Sequence, residues 1–141
     1  MDIRQITASY SVTPQIDPAD MAAIRDAGFT RIICNRPDAE IPPHLHAAEM
    51  AKAASAAGLE FEVLPLTHDT MTPENIARQM SLIDASGPVL AYCASGTRCS
   101  VIWSLGKATE GELSVDEILS TTARAGYDLS GLRPRLEQIA G

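Results

Sequence analysis

Cysteine is scarce in this 141-residue chain, which carries Cys34, Cys93 and Cys99 and no others. So small and odd a number argues against a disulfide scaffold and fits reduced thiols in a cytoplasmic setting. Basic residues are also in deficit, 11 Lys and Arg against 18 Asp and Glu, for a net charge of −7. That balance argues against nonspecific binding to nucleic acid or to an anionic membrane, both of which reward a basic face. It leaves room for a local positive site that takes a small anion. No apolar run approaches the length of a membrane-spanning helix. The opening MDIRQITASYS lacks the basic start and apolar stretch of a signal peptide. Internal repeats, low-complexity tracts and long linkers are absent as well. What is present is an ordinary balance, 45% hydrophobic and 21% charged, enough to build the core of one domain.

Local signals divide the chain into alternating elements. Ile3 to Val12 reads as a short hairpin. Asp17-Pro18 is a helix start, with an N-cap and a proline at the first helical position; the helix carries Met21, Ile24 and Ala27 and stops at Gly28. Phe29–Cys34 is a strand, closed by Asn35-Arg36-Pro37-Asp38. Pro42-Pro43 opens an alanine-rich helix that ends at Gly58, and Leu59–Leu64 alternates as a strand. After a loop, Leu66–Met71, a helix starts at Thr72-Pro73, carries Ile76, Met80 and Ile83, and is broken by Gly87-Pro88. Val89–Cys93 is an apolar strand expected to be buried on both faces. Helices follow from about Cys99 to Thr109, from the capping box Ser114-Val-Asp-Glu117 to Gly126, and from Leu132 to Ile139. Strands alternating with helices predict an α/β domain with a mostly parallel central sheet flanked by helices.

The chemistry concentrates in Leu90-Ala-Tyr-Cys93-Ala-Ser-Gly-Thr-Arg98-Cys-Ser-Val101. Ligands of an open α/β sheet bind beyond the carboxyl ends of its strands, and Cys93 stands at such an end, just before a helix. The helix N-terminus presents unpaired N–H groups and partial positive charge. Small residues at Ala94, Ser95, Gly96 and Thr97 let those amides converge on one point, and Arg98 adds a permanent, forked cation. Each effect favours a thiolate and lowers the Cys93 pKa below its usual value of about 8.5. The same cradle would hold a small anion against the sulfur. The competing reading is a structural cysteine ahead of an ordinary turn.

Cys-x-Ser-Gly-x-Arg resembles the active-site loop of single-domain rhodaneses, the sulfurtransferases, and Cys-x-x-Gly at a strand end resembles protein tyrosine and dual-specificity phosphatases. In those phosphatases five residues separate Cys from Arg. Here four do; Cys99 stands where that arginine would, and Ser100 matches the Ser/Thr that follows it. Four further segments are similar to the phosphatase-like domain of beta-lactamase-hydrolase-like proteins: Tyr10–Gln15, Asn35–Glu40, Gly87–Cys93, and Gly126–Leu129 with Leu132–Leu136. The resemblance spans nearly the whole chain and implies a dual-specificity-phosphatase-like fold. In some members of that family the domain is fused to a metallo-hydrolase domain resembling persulfide dioxygenases, which ties it to sulfide metabolism.

Two catalytic chemistries follow. A six-residue loop encloses less space than the phosphatase loop and suits the outer sulfur of a persulfide. Cys93 would take sulfane sulfur from thiosulfate or a small persulfide and pass it to an acceptor thiol or cyanide. Alternatively Cys93 attacks phosphorus, Arg98 clamps the oxygens, and Asp69, in Leu66-Thr-His-Asp-Thr-Met71, protonates the leaving alcohol. Asp69 reads equally as a polar turn residue, and His68 beside it either assists or faces solvent. A third reading is a redox-sensing or binding module in which Cys99 or Cys34 resolves an oxidised Cys93; the preferred account of both is nonetheless a small buried side chain. Arg36 is a secondary candidate for the anion, or else a partner of Asp38. His44 and His46, two apart on the expected helix, do not share a metal, no other ligand cluster has metal-binding spacing, and neither a metal nor an organic cofactor is implied. Trp103 is expected in the core.

Overall fold

A computed structural model describes residues 1–84 and 87–141. Its sheet has five strands, β1 (Arg4–Thr7), β2 (Tyr10–Thr13), β3 (Arg31–Cys34), β4 (Glu60–Val63) and β5 (Val89–Tyr92), in the order β1-β2-β5-β3-β4. β1 and β2 pair antiparallel, as the expected hairpin, with a shift of register between Gln5 and Thr7; the remaining neighbours are parallel. Parallel strands in a central position are covered on both faces. β5, between β2 and β3, meets that condition, with all four residues fully buried.

Among the described residues six helices cover the sheet: α1 (Met21–Asp26), α2 (Ala47–Ala56), α3 (Pro73–Asp84), α4 (Thr97–Glu110), α5 (Val115–Arg124) and α6 (Arg133–Ala140). Side chains alternate along a strand, so β5 sends Val89 and Ala91 into one layer and Leu90 and Tyr92 into the other. The first layer is packed by α3 to α6, with Met80, Ile102, Trp103, Ile118 and Leu136. The second is packed by α1 and α2, with Ile24, Met50 and Ala54. Trp103 lies in the core as expected.

Three helix starts differ from the local reading. Asp17 caps a 3-10 turn, Pro18–Asp20, and α1 begins only after it, at Met21. α2 does not open at Pro42-Pro43: residues Pro43–Leu45 form a 3-10 turn, and the helix begins at Ala47, whose N–H is capped at 2.8 Å by the carboxylate of Asp38. His44 and His46 therefore precede the helix, and His46 Nε2 bonds the carbonyl of Ile41 at 3.0 Å. α4 begins two residues early, at Thr97, because Gly96 adopts φ 89° as its N-cap. Arg98 and Cys99 thus lie in the first helical turn. The expected end of α3 just before Gly87 falls at residues 85–86, outside the described residues.

Candidate active site

Cys93 follows β5 directly and is 1% exposed. The chain turns back over its sulfur through Ala94, Ser95 and Gly96, and the Gly96 N–H donates to Cys93 Sγ at 3.1 Å. Neighbouring segments hold this turn in place. The Tyr127 hydroxyl donates to the Ser95 carbonyl (3.0 Å), the Gln15 N–H to the Ala94 carbonyl (3.3 Å), and the Ser100 hydroxyl to the Gly96 carbonyl (2.9 Å). The hydroxyls of Ser95 and Thr97 lie 2.8 Å apart. Gly96 is required twice over: its φ is positive, and a Cβ there would strike the Tyr127 hydroxyl.

The environment strongly favours the thiolate. Cys93 is held at a pKa of about 5, first by a hydrogen bond from the Cys99 thiol and then by the backbone N–H groups of Cys99, Ser95 and Gly96, against an opposing cost of burial. Cys99 is completely buried; burial, together with the neighbouring Cys93 sulfur, pushes its own pKa well up, so it stays a protonated donor. The Cys99 carbonyl is fixed by the Tyr10 hydroxyl at 2.8 Å. This pair carries a direct prediction. The rate of Cys93 alkylation against pH should titrate near 5. In Cys99→Ala the midpoint should rise by about one to two pH units, since one hydrogen bond to a charged group is removed, and Cys99→Ser should restore most of the shift. An unchanged midpoint in the alanine variant would show that the backbone amides alone hold the thiolate.

Arg98 binds two elements besides the cradle. Its Nη1 and Nη2 grip both carboxylate oxygens of Glu40 at 2.8 and 2.7 Å, and Nη1 also donates to the Leu66 carbonyl at 2.8 Å. The charge of the Cys93 sulfur is among the influences that raise the Arg98 pKa, after Glu40, so the guanidinium lies within electrostatic reach of the thiolate. Glu40 is held below the usual carboxylate range, chiefly by Arg98 and then by Arg36. Arg36 does not pair with Asp38, which is occupied at the start of α2. It donates to Gln15 Oε1 at 3.1 Å and to Glu40 Oε1 at 3.3 Å. Arg36 and Arg98 therefore flank one carboxylate at the carboxyl edge of the sheet.

The other candidates separate cleanly. Cys99 reaches Cys93. Cys34 lies on the strand next to β5, opposite Tyr92, but faces the other layer, and its thiol donates to the Arg36 carbonyl at 3.4 Å. Asp69 lies exposed in a turn closed by Thr67 and Thr70, with its carboxylate unbonded among the described residues. The loop that carries Asp69 is nevertheless anchored at the site, because Arg98 holds Leu66. His68 beside it is exposed. Among the described residues no three His, Cys, Asp or Glu side chains group as metal ligands, and no helix is long and apolar enough to cross a membrane.

Two functional neighbours escaped sequence reasoning. Glu40 lies 58 residues from Arg98; it ends the Asn35–Glu40 segment that carries the resemblance, but nothing in that segment marked it as a partner of Arg98. Gln79 sits on the buried face of α3 between Ile76 and Met80, and this polar residue in an apolar stripe was the available signal. Its amide joins Asn35 reciprocally, at 2.9 and 3.0 Å, and donates to the Tyr10 hydroxyl at 3.2 Å.

A cysteine thiolate between a parallel strand and a helix N-terminus, with an arginine in the first helical turn, on this sheet order, defines the tyrosine and dual-specificity type of phosphatase fold. The core catalytic domain of the S. cerevisiae PP-IP phosphatase SIW14 superposes with a TM-score of 0.72 at 11% identity, over 97% of this chain and 84% of that one. Within that fold class the chain belongs to the family described as beta-lactamase hydrolase-like protein, phosphatase-like domain, whose model matches residues 2–110. A beta-lactamase hydrolase-like protein of Agrobacterium fabrum is 34% identical over 135 residues, covering 95% of this chain and 31% of that protein. The Xylella fastidiosa (strain 9a5c) relative is 28% identical over 141 residues, 99% of this chain and 33% of its own length. The chain thus spans about a third of the curated relatives it matches. A solved Neisseria meningitidis structure, described provisionally as a phosphatase, is 34% identical, with a TM-score of 0.85 over 99% of both chains.

Proposed function

We propose that the chain hydrolyses phosphomonoesters through a phosphocysteine on Cys93. The observation that carries this reading is a thiolate poised near pKa 5, under converging N–H groups and within electrostatic reach of the Arg98 guanidinium. The phosphatase fold and the similarity to the Neisseria protein support it. Cys93 attacks phosphorus, a P–S bond forms and the ester P–O bond breaks, and the leaving oxygen takes a proton from Asp69. Water then attacks phosphorus, the P–S bond breaks, and inorganic phosphate leaves with the thiolate regenerated. The test is rapid quenching with an aryl phosphate, read by intact mass. A transient gain of one phosphoryl group on Cys93 is expected. In Asp69→Asn, turnover of an alkyl phosphate should fall by about 10²-fold, with a much smaller loss for an activated aryl ester that needs no acid. An equal loss for both esters removes Asp69 from the role of acid.

One observation favours a second reading, sulfur transfer. The loop is a residue shorter than the phosphatase loop, and Cys99 occupies the place of the later arginine. Cys93 would attack the sulfane sulfur of thiosulfate or a persulfide, forming its own S–S bond while the donor S–S bond breaks and sulfite or a thiolate leaves. Incubation with a persulfide donor and intact mass, with Cys93→Ser beside it, separates the two. A gain of one sulfur removable by cyanide and absent in the variant supports sulfur transfer; no gain on a free, alkylatable thiol sinks it.

A further inference from the structure

Away from the Cys93 loop, α3, α4 and α6 enclose a cavity of about 450 Å³. That size falls in the range of small-molecule sites, about 300 to 1,000 Å³. Its walls are Met71, Ile76, Ala77, Met80 and Ile139, and its floor is the backbone of α4 at Gly106, where a Cβ would run into the Met80 side chain. The methionines give it walls that adapt to an occupant.

The rim decides what that occupant is. At one side Glu110 is neutralised by Lys107 at 3.1 Å. At the other, Arg135 donates to the Met71 carbonyl at 3.0 Å and has no carboxylate partner among the described residues. An unpaired cation at the lip of an apolar cavity, in a chain of net charge −7, calls for an anionic head on an apolar body. A protein partner is disfavoured by the surroundings. The large hydrophobic side chains exposed among the described residues are Met1 and Val63, neither of them at this cavity, so no flat apolar patch extends it toward the area a stable interface needs.

We infer that this cavity is a binding site for a small monoanionic amphiphile, its apolar tail between α3, α4 and α6 and its head on Arg135. The site is independent of the chemistry at Cys93, yet linked to it. Met71, whose carbonyl Arg135 holds, ends the loop that carries Asp69 and that Arg98 anchors at Leu66. A head group that draws on Arg135 competes with this tie and biases the loop.

Calorimetric titration with octanoate, and with 1-octanol as its uncharged counterpart, tests the site. Saturable one-to-one binding of both is expected. Ala77→Phe, placed on the exposed side of α3 to fill the cavity, should weaken both by at least about tenfold. Arg135→Gln should weaken octanoate about three- to tenfold and leave octanol unchanged. An unchanged Cys93 alkylation midpoint in both variants verifies that they are folded. Non-saturable heats, or full binding in Ala77→Phe, would overturn the assignment. So would a concentration-dependent dimer in sedimentation that Ala77→Phe abolishes, which would give the cavity to a second copy of the chain.

Discussion

Cys93→Ser is expected to lose at least about 10³-fold of turnover, and Arg98→Lys about 10²- to 10³-fold, for different reasons. Serine places a hydroxyl, neutral at every working pH, where the cradle is built for an anion, so the nucleophile is lost and the cradle remains. Lysine keeps one charge but cannot grip both Glu40 oxygens with two nitrogens and donate to Leu66 at once, as Arg98 does, so the cation is no longer fixed beside the cradle. Phosphate should therefore still bind to Cys93→Ser and bind at least about tenfold more weakly to Arg98→Lys. Equal retention of phosphate binding in both variants would take Arg98 out of the anion site. The serine variant also carries a stability signature. The Cys93 pKa is about 5 in the fold, against about 8.5 in an unfolded chain. Between those values the unfolded state binds more protons, so this contribution to stability grows as pH rises from 5 toward 8.5 and vanishes as pH falls through 5. Denaturation of wild type and Cys93→Ser across that window should show the difference opening with pH.

Gln79→Leu should destabilise the fold by about 2 to 4 kcal/mol, a large share of the stability of a domain this size. The volume is conserved, so the cost is polar. Gln79 and Asn35 are both completely buried. Gln79 supplies the donor that satisfies the Asn35 side-chain oxygen and accepts one of the Asn35 amide hydrogens. Leucine leaves that oxygen without a donor in the interior, while the other Asn35 bond, to the Leu64 carbonyl at 2.9 Å, survives. A urea midpoint shift worth less than about 1 kcal/mol would mean that the site admits water in place of the amide.

The parts of the site that could be read in the sequence are those encoded locally. Cys93, the small residues behind it and Arg98 lie within six positions, so strand end, turn and helix start are visible together. The same holds for the capping box at Ser114, which the structure reproduces. What escaped depends on chain segments meeting in space. Arg36 looked like a partner for its near neighbour Asp38, but Asp38 is spent on the N–H of Ala47 and Arg36 turns to Gln15 and Glu40. The same capture of Asp38 explains why two prolines misplaced the start of α2. The Asn35–Glu40 segment carried the resemblance but did not announce Glu40 as a residue of the site, because its place there depends on Arg98. Cys99 was visible as a candidate, but its direction, toward Cys93, depended on α4 starting at Thr97.

The ties that hold the cradle also fix when in folding it can form. Arg98 reaches across 58 residues to Glu40 and 32 to Leu66, and Tyr127 reaches back 32 to Ser95. Loops of such length close late, after the local helices and the β1–β2 hairpin. A partly folded chain thus holds an ordinary thiol, of ordinary reactivity. The stabilised thiolate exists only once strands, helix and both distant loops have assembled, so the sulfur proposed as nucleophile is silent until the fold around it is complete.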